Sequence, residues 1–426
     1  MNHAPLPAWL WGAAHLFYLA AAGYVLARGG GARGGIADAW TRPRAARAIA
    51  AVLVIGLVPR MLLIPTAPAL SDDVYRYLWD GRLVAEGWNP FTRAPSDPAL
   101  ASLHDALYAK LSHTGVPTIY PPVAQWLFAA GWLLGGTPLA WKGVLFALEA
   151  LLVAGLIALL RRRRLPPERL LLYYWNPLAV VECYGSGHVD LAAAAFLLPA
   201  LALLESSGEG REATLRRVRG GLALGASALV KLVPAAFIPA LLRRRAWVAA
   251  AAMILLCVAL YLPFRGAGPM LWEGLRIYAR NWEFNGPAYA LLRPIFRSGD
   301  APRLLLAGAF AIATLAIAWR ARTLSGAMLA TWTAFLLLSP TVYPWYLVPV
   351  VALLPLHPDA GLLLLSGTVA LTYLPLPVYR ATGAWNVPAW ILWTEYGTLT
   401  LVWTVTAAAR ALQARRAPWA TERSPT

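Results

Sequence analysis

The sequence predicts an all-α fold, a polytopic bundle of about 11–13 membrane-spanning helices forming a single integral membrane domain over residues 1–426. Three observations carry that prediction. Hydrophobic residues fill 59% of the 426 positions and charged residues only 13%, where a soluble domain carries about 25%. The mean hydropathy is +0.56, and the apolar residues gather in runs of about 20, the length that crosses a bilayer. The arginines behind the formal net charge of +17 sit in short clusters between those runs, where they set orientation and meet anionic headgroups. That placement makes membrane lipids the expected partner of the charge and excludes nucleic acid. Cys183 and Cys257 lie far apart in apolar segments and read as small hydrophobes, not as a disulfide. No cleavable leader is expected, because the N-terminus lacks a basic region and 9–26 is about long enough to span.

Taken in order, residues 9–27 form the first span, and Arg28, Arg33, Arg42, Arg44 and Arg47 behind it mark a cytoplasmic loop. The second span, 48–66, therefore exits outside just ahead of Asp72, and 67–136 is the largest external loop. Within that loop residues 73–86 read as an amphipathic helix lying on the membrane. Gly87 fits its C-terminal cap, and Trp88-Asn89-Pro90-Phe91 turns the chain. Tyr120-Pro121-Pro122 opens a second helix, 123–134, too short to cross and hence interfacial or re-entrant. Residues 138–160 are the true span back to Arg161–Arg164.

The same parity runs onward. Residues 168–182 go out, Gly185-Ser186-Gly187-His188 turn outside, and 189–204 return to a loop with Arg211, Arg216, Arg217 and Arg219. Arg243, Arg244 and Arg245 are inside as well, so 220–242 must leave and return in a length that holds no two full spans. A pair of short broken helices meeting at Lys231–Pro234 solves this, since proline removes a backbone donor there. Such a break is tolerated only inside protein or around a water-filled cavity, which aims Lys231 at a cavity. Residues 246–263 go out and close an expected catalytic core module, 48–263. The remainder, 264–426, is expected as variable helices: a second external loop, 264–301, then spans near 302–319, 325–338, 346–356, 360–376 and 390–409. No strict internal repeat stands out.

Chemistry concentrates at Ser71–Arg82, which holds three acids and two arginines. A helix N-cap needs one short polar residue; two acids beside a hydrophobic exit are costly unless paired or functional. Asp72 and Asp73 are therefore candidates for a general base or for holding a divalent cation. Arg76 stands at helical spacing from both Asp73 and Asp80 and can hold them, which leaves Asp72 the freer carboxylate. His188 and Asp190 read as polar groups lining a site, or as a solvated loop. Lys231, one of three lysines, interrupts an apolar run near its midpoint; it snorkels, or it meets an internal partner and holds a phosphate oxygen. Arg265, Arg276, Arg280, Arg293, Arg297 and Arg303 put positive charge outside, for headgroups or as a clamp on a leaving phosphate. No glycine-rich phosphate loop is present, so an activated sugar has to arrive on a lipid.

Asp72-Asp73-Val74-Tyr75, Gly87-Trp88-Asn89-Pro90, Tyr120-Pro121-Pro122, Asn176-Pro177-Leu178 with Gly187-His188-Val189-Asp190, Lys231 before Pro234, and Tyr343-Pro344-Trp345-Tyr346 stand in this order. Together they resemble the GT-C class of polyprenyl-phosphate-sugar-dependent membrane glycosyltransferases, in particular bacterial polyprenol-phosphate-mannose-dependent mannosyltransferases, over residues 48–350. The resemblance implies catalytic Asp72, with Asp73 close behind, as base for an inverting transfer at the extracytoplasmic face. It implies Lys231 as the phosphate contact, with His188, Asp190, Tyr120, Arg76, Arg276, Arg280, Tyr343 and Tyr346 around the substrates. The implied donor is a polyprenyl-phosphate sugar, with mannose the expected sugar, and the acceptor a lipid-linked or cell-envelope glycan. A divalent cation stays open as a cofactor. The span 9–27 ahead of the core departs from many members, and no soluble C-terminal domain is expected.

The alternative is a secondary transporter or flippase of a lipid or sugar. Transporters pair broken helices in both halves, whereas one such pair is expected here, and Glu149 is the main intramembrane acid for proton coupling. A non-catalytic polymer-assembly subunit would keep the spans and tolerate loss of Asp72 and Asp73.

Overall fold

A computed structural model describes residues 8–31, 40, 42–206 and 208–416. Helix accounts for 77% of the described residues, and they contain no strand. Among the described residues six helices are long and apolar enough to cross a membrane: Trp9–Arg28, Pro43–Leu63, Pro138–Arg162, Trp247–Asn281, Asp300–Arg320 and Ala360–Thr382. The protein is a multi-pass membrane bundle. The crossings expected beyond these six rest on shorter apolar helices, among them Asp190–Leu204, Val233–Arg243, Leu324–Leu338 and Pro344–Leu353. Ala389–Arg416 covers the last expected span but is not among the six. Its threonines 394, 398, 400, 404 and 406 each donate to the carbonyl four residues back, which satisfies their hydroxyls inside the helix. Of the arginines expected after the first span, Arg33 lies outside the described residues.

Helix α1 (Ala8–Gly31) and helix α2 (Arg42–Leu63) supply the first two spans. An arginine inside α2 is the feature the sequence reading passed over. Arg60 is fully buried and bidentate to Glu149, with Nε–Oε2 and Nη2–Oε1 both at 2.7 Å. Tyr173 and Tyr184 donate to the same carboxylate at 2.8 and 2.6 Å, and the guanidinium lies 3.6 Å over the Tyr174 ring. A charge pair in a low-dielectric interior is tolerable only when its remaining hydrogen-bonding capacity is met in this way. Helix α5 (Pro138–Arg162), which carries Glu149, is capped by Thr137 accepting from the Ala140 N–H. Its Lys142 closes the C-terminal end of α2 by donating to Leu63 O and Thr66 O at 3.2 and 2.7 Å.

Helix α3 (Asp73–Ala85) follows the exit of α2. It packs inward over much of its length: Val74, Tyr77, Leu78, Trp79, Asp80, Gly81 and Leu83 are all buried. The cause is helix α4 (Pro122–Leu133), which packs along it. A Cβ on Gly81 would stand 2.2 Å from the Phe128 carbonyl oxygen, so glycine sets the approach, and Tyr77 stacks on Phe128 at 4.6 Å. Gly87, at φ +82°, ends α3 with the Trp88 N–H on Leu83 O at 2.7 Å.

Two expectations change. Residues 168–182 are not one continuous span but the short pieces Pro167–Leu170, Leu171–Tyr174, Pro177–Val180 and a π-helical turn, Val181–Ser186. Pro177 brings no N–H, and the Asn176 side chain takes the N–H groups of Leu178 and Ala179 instead. The segment is deeply buried, where irregular backbone is tolerated. At 220–242 the break at Lys231 is present, but only one arm is short. The first is a 19-residue helix, Gly210–Ala228, which takes up the arginines expected in a loop. The second is Val233–Phe237 running into Ile238–Arg243.

Candidate active site

Where α2 ends, α3 begins and the chain breaks at Lys231, a cavity of about 1020 Å³ opens. Its walls come from 68–76, 112–121, 230–233, 275–284, 343–346 and 373–385. Asp72 and Asp73 stand on the first wall because α3 starts there. Asp72 occupies the N-cap position but caps nothing. Its carboxylate makes no hydrogen bond or ion pair with any described residue; Ser71 Oγ accepts the Asp73 N–H at 3.2 Å instead.

Arg76 lines the cavity but does not divide itself between Asp73 and Asp80. It pairs with Asp80 at 2.8 Å and donates to Val116 O at 2.9 Å. Asp80 is in turn held by the Thr118 hydroxyl at 2.6 Å, and Gln125 donates to Thr118 at 2.8 Å. Asp73 is thereby left to other partners. It accepts from the Tyr77 hydroxyl one helical turn on, at 3.4 Å, and its Oδ2 lies 3.9 Å from His188 Nε2. Burial pushes the Asp73 carboxyl above the usual aspartate range, the nearby His188 opposes that, and the Asp72 carboxylate adds to it.

Lys231 reaches the cavity from the broken helix pair. Its Nζ is 2.6 Å from Asp190 Oδ1 and 3.9 Å over the Tyr346 ring. The Tyr346 hydroxyl shares a 2.6 Å hydrogen bond with Tyr278. Tyr120, Tyr343 and Tyr346 line the cavity as expected residues, and Arg380, Tyr278, Trp282 and Tyr373 join them unannounced by the sequence. Arg380 donates to Ala69 O, beside the acids.

His188 and Asp190 do not line the cavity. Both are fully buried behind its wall, holding the groups that do. His188 sits at the end of the π-helical turn after Gly187, whose φ of +82° favours glycine. The Gly187 carbonyl is fixed by the Trp141 indole N–H at 2.6 Å. Its ring stacks on Trp345 at 3.8 Å, Trp345 on Tyr343 at 4.5 Å, and Tyr343 on Phe284 at 4.5 Å, a column of four rings.

Arg276 and Arg280 are exposed on the helix Glu273–Asn281 and take no part in the wall. Arg276 pairs with Glu273 at 3.3 Å. The same helix turns Leu275, Tyr278 and Asn281 to the cavity. Among the described residues no group of three or more His, Cys, Asp and Glu gathers as metal ligands.

A family model described as Alpha-(1->6)-mannopyranosyltransferase, N-terminal domain, matches residues 7–263. Among curated proteins none matches. Of solved structures, ArnT from Cupriavidus metallidurans bound to undecaprenyl phosphate is 16% identical, with 86% of this chain and 72% of that chain covered and a TM-score of 0.47. The archaeal oligosaccharyltransferase AglB from Archaeoglobus fulgidus, in complex with an inhibitory peptide and a dolichol-phosphate, is 13% identical, with 85% and 54% covered and a TM-score of 0.39.

Proposed function

This chain belongs to the MptA/B family of alpha-(1->6)-mannopyranosyltransferases, and from that premise we propose that it moves a mannosyl unit from a polyprenyl-phosphate donor to a hydroxyl of a lipid-linked or cell-envelope glycan. The observation that carries this reading is that Lys231 and the pair Asp72–Asp73 wall the same cavity. A cation held by a buried carboxylate and an aromatic face keeps further N–H donors for a phosphate oxygen. Val230, Leu232, Val233, Leu275 and Phe335 beside it suit the first carbons of a polyprenyl chain.

In the transfer, the acceptor oxygen bonds to the anomeric carbon while the bond from that carbon to the phosphate oxygen breaks. The electron pair leaves with polyprenyl phosphate, whose charge Lys231 meets. The proton of the acceptor hydroxyl passes to Asp72, the carboxylate without a partner in the cavity wall. A single displacement of this kind inverts the anomeric centre. Arginine clusters at 161–164 and 243–245, at the ends of helices leading away from the cavity, mark a cytoplasmic face and support a cavity on the extracytoplasmic side. Nothing favours transport: Glu149, the acid a proton-coupled carrier would use, is fully engaged by Arg60, Tyr173 and Tyr184.

The test is to incubate purified protein with polyprenyl-phosphate-mannose and candidate acceptors, comparing wild type with Asp72→Asn. Mannosylated acceptor from wild type alone is expected. Equal transfer by the variant removes Asp72 as base, and no transfer by either across the acceptors removes the reading.

A further inference from the structure

Behind Asp73 lies an array that the transfer scheme above does not use. Glu182 and His188 both have no exposed surface. His188 Nδ1 is 2.9 Å from Glu182 Oε2, and its Nε2 is 3.9 Å from Asp73 Oδ2. Neither nitrogen makes an aligned hydrogen bond. The Tyr373 hydroxyl bridges both Glu182 oxygens at 2.9 and 3.1 Å. The His188 backbone N–H returns to the Glu182 carbonyl at 2.9 Å, so the two residues form one closed turn.

We infer that Glu182 and His188 are a positioning pair that holds Asp73, and with it the Asp72–Asp73 base, ionised and in place for the transfer. This rests on the mannosyl-transfer reading above. A neutral imidazole offers one N–H; a ring with a carboxylate at each nitrogen meets both only when both nitrogens carry protons. Glu182, fully buried, needs that charge as its counterpart, because a lone carboxylate in such a place is too costly to keep ionised. The positive ring then faces Asp73 and opposes the upward push of burial on its carboxyl. Trp345 covers one face of the ring at 3.8 Å and bars water from it. The other charged groups acting on Asp73 are Asp72, its chain neighbour, and the Lys231–Asp190 pair. Tyr77 and Tyr373 are the titratable groups hydrogen-bonded to the two carboxylates that flank His188. No step of bond making passes through His188. It acts through Asp73.

The experiment follows kcat/KM for mannosyl transfer from about pH 4 to pH 9 in wild type, His188→Gln and Glu182→Gln, with folding checked by thermal unfolding. Losing the positive neighbour lets Asp73 keep its proton to higher pH. The acid limb should therefore move up by about one pH unit or more in His188→Gln, the size of a close charge effect, and less in Glu182→Gln. The apparent donor KM should hardly change. In an Asp73→Asn background, His188→Gln should leave the limb where it is. A folded, active His188→Gln with an unmoved limb overturns the inference alone. Loss of folding in both variants also overturns it, assigning the pair to the scaffold. A wild type inert with the donor overturns the transfer reading and this inference with it.

Discussion

Lys231 Nζ lies 2.6 Å from Asp190 Oδ1, and the carboxylate is wholly buried while the ammonium keeps 17% of its side chain open. The pair is therefore one-sided, with the anion in the protein and the cation at the cavity.

If that ammonium meets the donor phosphate, Lys231→Ala should raise the apparent KM for polyprenyl-phosphate-mannose by about tenfold or more, as expected for loss of a charge-assisted contact of about 1.5–3 kcal/mol. The acceptor KM should change far less. Steady-state kinetics with each substrate varied in turn checks this, and equal changes in both would refute the donor role.

Asp72→Asn keeps shape and removes the proposed base. Transfer should fall by about 10²–10⁴-fold, the usual worth of a general base, while detergent-solubilised yield and thermal midpoint stay as in wild type. Product formation per mole of folded protein is the measurement.

Because Asp73 holds its proton to higher pH than an ordinary aspartate, the ionised pair is lost as pH falls through a value above the usual figure of about 4. Wild-type kcat/KM should therefore drop on acidification while typical carboxylates are still ionised. A profile flat down to that figure would contradict the environment assigned to Asp73.

Glu149→Gln should destabilise rather than inactivate. Removing one member of a buried ion pair costs about 3–5 kcal/mol because the other charge is stranded, here on Arg60. Thermal unfolding should show a large drop, and the fraction that stays folded should transfer mannose at nearly the wild-type rate. A variant with wild-type stability and no activity would instead place Glu149 in the reaction.

Much of this site is readable in the sequence, for one physical reason: a charge in a hydrocarbon-compatible run needs an explanation. That argument singles out Asp72, Asp73 and Lys231 and places a break beside the lysine. It has no sense of depth. His188 and Asp190 stand out as polar, yet only packing shows that they lie behind the wall and grip the residues in front. Partner choice is equally hidden. Arg76 stands three residues from Asp73 and four from Asp80, spacings that both fit a helical pair, and the Thr118 hydroxyl on Asp80 belongs to a segment 38 residues away. Arg60 was passed over because its partner is 89 positions distant. Around the helix Glu273–Asn281, helical spacing puts Leu275, Tyr278 and Asn281 on one side and Arg276 and Arg280 on another, so the period itself separates the cavity face from the exposed one.

The column of rings running from His188 through Trp345 and Tyr343 to Phe284 has a consequence for biogenesis. Its inner end belongs to the segment matched by the family model, and its outer three rings are translated after residue 263. A nascent chain that has inserted only the matched segment therefore has Asp73 and His188 in sequence but no roof over the imidazole and no Tyr373 on Glu182. The surroundings that these groups have in the full chain are complete only once the later helices have docked. The matched segment expressed alone would lack the rings that cover His188 and the Tyr373 hydroxyl on Glu182.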